Sequence, residues 1–265
     1  MKKVNYHTHT YRCMHASGKD EEYVLEAIKG GIKVLGFSDH TPWRYDSNFV
    51  AYMRMKESHF YDYYTSIQAL KLKYKDQIDI KIGLECEYFK RYMPWLIQLA
   101  KIYELDYLIL GNHYYQSDEF RIYFGSVCNQ DDYLIKYVDE AIEALETGYF
   151  TYLAHPDLFM RGRDEFDDFA KAQSLRLLQA CKRLNIPIEY NLEGLRFMDE
   201  LETIAYPHPE FWDLVSEVGN EVIIGYDAHH PKSLSDEHYY LEALKQLKSR
   251  NIHVLDDLEL KGFKL

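Results

Sequence analysis

The sequence predicts an α/β protein in which a parallel sheet closes into a barrel with helices outside. Three observations predict it. Short apolar runs of strand character alternate with longer stretches of helical period about seven times along the chain. No Gly-x-Gly-x-x-Gly turn follows the first strand, as it would in an open dinucleotide-binding sheet. A chain of 265 residues with 47% hydrophobic content can bury the core of one such barrel, so a single domain over 1–265 is expected.

The strands read in order are Lys3–Tyr6, Val34–Ser38, Ile78–Leu84, Tyr107–Gly111, Thr151–Ala154, Ile186–Tyr190 and Glu221–Gly225. The first alternates Val4 and Tyr6 with Asn5 and His7, which is the period of an extended chain. The first helix is expected at Asp20–Lys29, where Tyr23, Val24, Ala27 and Ile28 recur at helical spacing. Tyr64, Ile67 and Leu70 carry the same period through Phe60–Lys75. Further helices are expected at Pro94–Tyr103, Asp131–Thr147, Asp164–Leu184, Glu210–Val218 and Asp236–Arg250.

The formal net charge of -12 disfavours a broad electrostatic hold on nucleic acid and gives no attraction to an anionic membrane. An anionic substrate would need local positive charge, from a few arginines or from bound cations. Cys13, Cys86, Cys128 and Cys181 are scattered without a Cys-x-x-Cys pair, which reads as reduced thiols and a cytoplasmic protein. Lys2 and Lys3 lead into Asn and His rather than an apolar stretch, so no secretory leader is expected, and no run is long enough to span a bilayer.

The polar residues fall at one structural phase. Reading just past each expected strand gives His7 and His9, with His15 in the following loop, then His40 in Ser38-Asp39-His40 and Glu85 in Gly83-Leu84-Glu85. The later strands give His113, His155 in Ala154-His155-Pro156, and Asp227 with His229 in Asp227-Ala228-His229. His7 and His9 are two apart, so in extended chain both rings face one side. Any one of these histidines alone is best explained as a core residue satisfied by one hydrogen bond. So many at the same phase point instead to the strand-end face where parallel barrels place their chemistry. Imidazole and carboxylate together suit zinc, manganese or iron, and there are more donors than one ion can use, so two or three divalent transition-metal ions are expected. Such a cluster suits phosphate-ester hydrolysis, because it makes hydroxide available at neutral pH and neutralises the attacking and departing oxygens.

The opening His-x-His with a third histidine after it, Ser-Asp-His, Gly-Leu-Glu, a lone strand-end histidine, His-Pro and Asp-Ala-His together resemble the polymerase and histidinol phosphatase (PHP) superfamily. The stretch from Arg54-Met55-Lys56-Glu57 through Glu85-Cys86-Glu87-Tyr88 is similar to its histidinol-phosphatase branch. The resemblance implies a distorted (β/α)7 barrel with a metal cluster at the C-terminal rim of its strands. By that similarity His7, His9, Glu85 and Asp227 hold one ion; Glu85 shares a second with His113 and His155; His15, His40 and His229 hold the third. Glu85, Asp227 and His229 are then the expected catalytic residues. The implied activity is hydrolysis of L-histidinol phosphate, a small-molecule phosphomonoester, in histidine biosynthesis. Two alternatives stay open: another phosphoesterase of the superfamily, acting on nucleotides, nucleic-acid ends or phosphotyrosine, and a non-catalytic metal-binding regulatory barrel.

Phosphate recognition is expected from arginine, whose fork fits two phosphate oxygens. Arg161, with Arg163 close behind, lies in the loop after the fifth strand, and Arg196 in the loop after the sixth. His230 is a further candidate for substrate contact. Cys13 is expected to stay outside a ligand set that is complete without it. Asp39 is expected in a packing or ligand-orienting role. Glu87 either orients a ligand or lies exposed in a loop. His59, His208, His238 and His253 are expected at the surface.

Overall fold

The computed structural model describes residues 2–263. It is an α/β protein whose chain divides into two compact units. The first comprises residues up to Ile109 together with Gly225–Glu237 and the segment from Asp256; the second comprises Leu110–Ile224 and His238–Leu255.

In the first unit β1 (Val4–Asn5), β2 (Val34–Phe37) and β3 (Asp79–Cys86) pair in parallel, with Val4 opposite Val34 and Val34 opposite Asp79. β4 (Tyr107–Leu110), at the boundary, completes the sheet order β1-β2-β3-β4. These strands are buried along most of their length, which is why they read as continuous apolar runs. α1 (Asp20–Lys29), α2 (Phe60–Lys73) and α3 (Met93–Ile102) connect them. α1 starts with Asp20, Glu21 and Glu22 and ends with Lys29, charges that oppose its macrodipole, and it buries Tyr23, Val24 and Ala27. Gly36 is required on β2, because a Cβ there would lie 2.2 Å from Tyr107 Oη. That hydroxyl donates to Tyr6 O (2.7 Å) and Phe37 O (3.1 Å), tying the ends of β1 and β2 together.

The second unit is mainly helical: α4 (Phe124–Val127), α5 (Asp131–Glu146), α6 (Asp168–Leu184), α7 (Leu192–Leu201), α8 (Pro209–Val218) and α9 (His238–Ser249). β5 (Ile188–Asn191) and β6 (Val222–Gly225) form a two-stranded sheet. The Asp167 side chain caps α6 through Ala170 N (2.8 Å), and Asn185 in the left-handed region ends it.

Among the described residues there are six strands in two sheets, not seven in one ladder. The expected strand Thr151–Ala154 is reduced to isolated bridges from Leu153 to Leu110 and to Ile188. It is cut short by His155, whose φ of +28° turns the chain. The expected helices lie within a few residues of their predicted bounds; α4 and α7 were not anticipated. α7 starts directly from β5 with no intervening turn, and its early Gly194 reads in the sequence as a loop residue. Arg196 therefore lies on a helix rather than in a loop, and Arg161 lies in a short 3-10 turn, Leu158–Gly162. His208 is a further correction: it is buried, stacked on Phe166 at 5.1 Å, because its backbone N–H is drawn to the buried Asp157 Oδ2 (2.7 Å).

One polar feature inside the first unit decides how its site loop is held. Arg54 grips Glu87 bidentately (Nη1 to Oε2 3.1 Å, Nη2 to Oε1 2.8 Å), and both side chains are buried. Trp43 Nε1 adds a donor to Glu87 (3.0 Å), and Arg54 also donates to Thr41 O (3.2 Å). A buried pair of this kind contributes little net stability against an apolar substitute, yet removing one partner strands a charge. Arg54→Ala is therefore expected to destabilise the protein by roughly 3–5 kcal/mol, read as a lower midpoint in chemical denaturation. A midpoint equal to that of the parent would show that the pair is dispensable.

Candidate metal centre

The site of the first unit grows from the chain just past β1. Thr8 pairs with Ala228, with His9 N donating to Ala228 O (3.0 Å) and Ala228 N to His7 O (3.2 Å). Asn5 secures the junction: its Oδ1 accepts from His7 N (3.1 Å) and Tyr226 N (3.0 Å), and its Nδ2 donates to Thr8 Oγ1 (2.8 Å). The extended alternation thus continues through His9, and the His7 and His9 rings lie 5.1 Å apart, both fully buried.

From β2 and β3 come His40 and Glu85, paired as a bridge. Glu85 lies inside β3 rather than past its end, a correction to the expected phase. Its carbonyl accepts from both Thr41 N and Thr41 Oγ1 at 2.9 Å, so the loop anchored by Arg54 and Glu87 fixes the Glu85 backbone as well. Asp227 and His229 arrive on the segment that follows β6.

These side chains turn their lone pairs toward one another. His7 Nε2 lies 3.5 Å from Glu85 Oε1 and 3.4 Å from Asp227 Oδ1. His9 Nε2 lies 3.5 Å from Glu85 Oε2 and 3.0 Å from Asp227 Oδ1, and His40 Nδ1 lies 2.9 Å from Glu85 Oε2. His229 Nε2 faces His15 Nε2 at 3.0 Å. In both of the last two rings Nδ1 sits 2.9 Å from a backbone carbonyl, Asp227 O and Cys13 O, which assigns the ring proton to Nδ1 and leaves Nε2 as a lone pair.

The donor set passes the test for a metal. Four tetrahedral ligands at 2.0–2.1 Å from an ion stand roughly 3.3 Å apart, and the separations above bracket that value. The ligand atoms of His7, His9 and Asp227 lie within 4.8 Å of one another, as do those of His9, His40 and His229. Two neutral imidazoles with facing lone pairs repel at 3.0 Å, and a cation between them removes the repulsion.

The proton balance agrees. Burial opposes a charge on His9, but the bonds to Asp227 and Asp39 outweigh it and raise its pKa to about 9. Burial together with the His9 charge pushes His229 down to about 3, and lowers His15 for the same two reasons. Burial alone would raise Asp227, but the surrounding His7, His9 and His229 hold it well below the usual carboxylate range. Without metal the cluster therefore keeps a proton on His9, while His15 and His229 stay neutral.

Two carboxylates set the orientation. Asp39 is fully buried; its Oδ1 lies 3.4 Å from His9 Nδ1 and accepts from His40 N (2.8 Å), and its Oδ2 accepts from Thr10 Oγ1. A buried carboxylate in that position packs beside His9 and His40 and can orient the His9 ring. Glu87 is buried rather than exposed. Asn5 and Arg54 were missed as site residues; the one available signal was a polar residue inside an apolar strand, at Asn5. Cys13 is buried beside the cluster, its thiol raised by burial, and all four cysteines are free.

In the second unit the His113 and His155 rings lie 4.9 Å apart. The three arginines differ in their partners. Arg163 is buried and spends its guanidinium on Cys128 O (3.1 Å), Asp131 (3.0 Å) and Asp167 (2.7 Å). Arg196 pairs with Glu193 and, at 3.7 Å, with Glu200. Arg161 is exposed, lies over the Phe197 ring at 4.4 Å and donates to Tyr123 Oη (3.3 Å), with no carboxylate partner among the described residues. In the first unit His230 is exposed and accepts from Lys232 N through Nδ1 (3.2 Å), capping the turn Pro231–Leu234.

Two outcomes follow. A ligand nitrogen must give up its proton to bind metal, and His9 with a pKa of about 9 is protonated at pH 7.5. Zinc binding to metal-free protein at that pH should release at least about one proton per chain, seen as a buffer-dependent heat in titration calorimetry, and metal affinity should fall as pH falls. Heats independent of buffer ionisation would exclude a protonated cluster. Glu85→Gln should reduce bound metal while the circular dichroism spectrum stays native; parental metal content would remove Glu85 from the ligand set.

The chain is similar to several known proteins. A probable histidinol-phosphatase of Deinococcus radiodurans is 24% identical over 258 residues, covering 91% of each chain. A histidinol-phosphatase of Lactococcus lactis is 23% identical over 240 residues, covering 88% of this chain and 86% of the relative. The solved structure of histidinol phosphate phosphatase from Lactococcus lactis, complexed with zinc, L-histidinol and phosphate, matches with a TM-score of 0.70 at 18% identity, covering 97% of this chain and 99% of that one; the likeness is one of fold. A family model for the PHP domain matches residues 5–193, a span that includes every proposed metal ligand except Asp227 and His229, and on that match the chain belongs to the PHP domain family.

Proposed function

We propose that this protein is a metal-dependent phosphomonoesterase that hydrolyses L-histidinol phosphate to L-histidinol and phosphate. The observation that carries the reading is the buried convergence of imidazole and carboxylate groups around Glu85 and Asp227, an arrangement that positive charge among them would stabilise. The relatives named histidinol-phosphatase support the substrate.

His7, His9, Glu85 and Asp227 would hold one divalent ion, and His15, His40 and His229 another; His113 and His155 are proposed as further ligands. Zinc, manganese and iron all suit imidazole with carboxylate. When bound, such ions supply Lewis-acid charge and a nucleophile available at neutral pH. The chain's own contribution is to fix that charge. Asp39 sets the His9 ring, the backbone carbonyls of Cys13 and Asp227 set the tautomers of His15 and His229, and Asn5 locks the two segments that carry them.

Arg161 is the strongest candidate for phosphate, since stacking on Phe197 braces it while its charge is not spent on a carboxylate. Arg196 is the second candidate and would exchange part of its pairing with Glu193 for the substrate. Arg163 is reassigned as a brace, because its two terminal nitrogens are committed to Cys128, Asp131 and Asp167. His230 stays as an exposed candidate for substrate contact. The net charge of -12 favours a small phosphomonoester over a nucleic-acid end. Free, buried thiols support a cytoplasmic setting. We further propose that the chain acts as one domain, a distorted (β/α)7 barrel in which Thr151–Ala154, reduced to bridges with Leu110 and Ile188, stands in place of a regular fifth strand.

The deciding assay is phosphate release from L-histidinol phosphate beside nucleotides and phosphotyrosine, with bound metal measured in the same samples. Preference for L-histidinol phosphate, lost on chelation and restored by divalent metal, is expected; retained metal with no turnover would favour a regulatory barrel. Arg161→Ala should lower kcat/KM by about tenfold or more, at least ~1.4 kcal/mol of transition-state binding, at unchanged metal content. Unaltered kinetics and unaltered inhibition by inorganic phosphate would return Arg161 to the surface.

A further inference from the structure

The second unit contains a buried acid that lies outside the proposed ligand set. Glu189, on β5, is fully buried. Its Oε2 accepts from His155 N (3.1 Å) and from Asn191 Nδ2 (2.8 Å), and its Oε1 lies 3.4 Å from Tyr152 Oη. The backbone register brings it there, since Glu189 N donates to Leu153 O (2.9 Å).

Both recipients of these bonds need holding. His155 adopts φ +28°, a left-handed conformation that a non-glycine residue keeps only when its surroundings impose it. Glu189 takes its N–H, and Tyr137 Oη donates to the carbonyls on the other side, at 3.4 Å for His155 O and 2.9 Å for Pro156 O. The turn thus has an acceptor before it and a donor after it, and the His155 ring lies 4.9 Å from that of His113. Asn191 is the N-cap of α7: its Oδ1 accepts from Gly194 N (2.8 Å), and α7 carries Arg196. One carboxyl group therefore stands behind a proposed metal ligand and behind the start of a helix bearing a proposed phosphate-binding arginine.

We infer that Glu189 is a positioning residue of the phosphatase site, holding His155 in its turn directly and Arg196 through the Asn191 cap. The inference rests on the roles given to His155 and Arg196 under the proposed function. Removing Glu189 leaves a buried N–H of His155 without its acceptor, and the ring loses the backbone that aims it. Groups standing behind metal ligands alter affinity or activity by about 10–100-fold when removed.

The test compares Glu189→Leu, Glu189→Gln and Asn191→Ala with the parent, reading bound metal per chain, kcat and KM separately, and inhibition by inorganic phosphate. Circular dichroism verifies folding. Glu189→Leu should lose metal affinity and kcat by about 10–100-fold. Glu189→Gln should keep most of both, because an amide oxygen still accepts from His155 N and Asn191. Asn191→Ala, which leaves the bond to His155, should weaken phosphate inhibition at parental metal content. A folded Glu189→Leu with parental metal and kinetics overturns the proposal, as does Glu189→Gln with losses as large as a misfolding leucine variant. Parental phosphate inhibition in Asn191→Ala overturns the link to Arg196. His155→Ala separates the two layers: if it keeps full metal, the ligand reading falls and this proposal with it; if it loses metal while Glu189→Leu does not, only the positioning role falls.

Discussion

The structure of the first unit depends on holding electron pairs together in a place without water. His7, His9, His40, Glu85 and Asp227 are each less than a tenth exposed, and their nitrogens and oxygens approach to about 3 Å. Desolvation on that scale costs several kcal/mol per charge unless the charges are paired. A proton on His9 meets part of that need at neutral pH, and the same proton drives the neighbouring His229 and His15 down. Divalent charge meets more of it, which is why the geometry reads as a metal centre and not as a chance collection of core histidines.

Much of the surrounding polar structure can be understood as the scaffold that keeps this arrangement from relaxing. Asn5 joins the His7–His9 segment to the segment carrying Asp227 and His229 through its Oδ1, which accepts from both His7 N and Tyr226 N, while its Nδ2 donates to Thr8 Oγ1. Arg54 and Glu87 are buried together, and their contact with Thr41 steadies the backbone on which Glu85 is carried. The second unit solves a similar problem differently, by strain: His155 sits in a left-handed turn pinned by Glu189 and Tyr137.

The arginines show why residue type and neighbourhood do not assign a role by themselves. Arg161 and Arg163 are two positions apart, yet one is exposed over an aromatic ring and the other is buried among carboxylates. A guanidinium already satisfied by Asp131 and Asp167 has little left for a phosphate, whereas one braced by stacking keeps its fork available.

What the sequence determined by itself was the local periodicity and the chemistry at its breaks. Apolar runs of strand length, helical stripes such as Tyr23, Val24 and Ala27, and histidines or acids where those runs end all follow from interactions within a few residues, so they can be read along the chain. The candidate ligand types, and the family that shares their spacing, are therefore legible. Partners were not. That Arg163 meets Asp131, that Glu87 meets Arg54, that His208 is buried over Phe166 and that Glu189 reaches His155 depend on which distant segments pack together. The fifth expected strand and α7 are misread for a related reason: the turn at His155, held by Glu189 and Tyr137, leaves Thr151–Ala154 with only isolated bridges, and the Asn191 cap starts a helix where Gly194 suggests a loop. Burial and hydrogen-bond satisfaction are properties of the packed chain, and only the tertiary structure decides them.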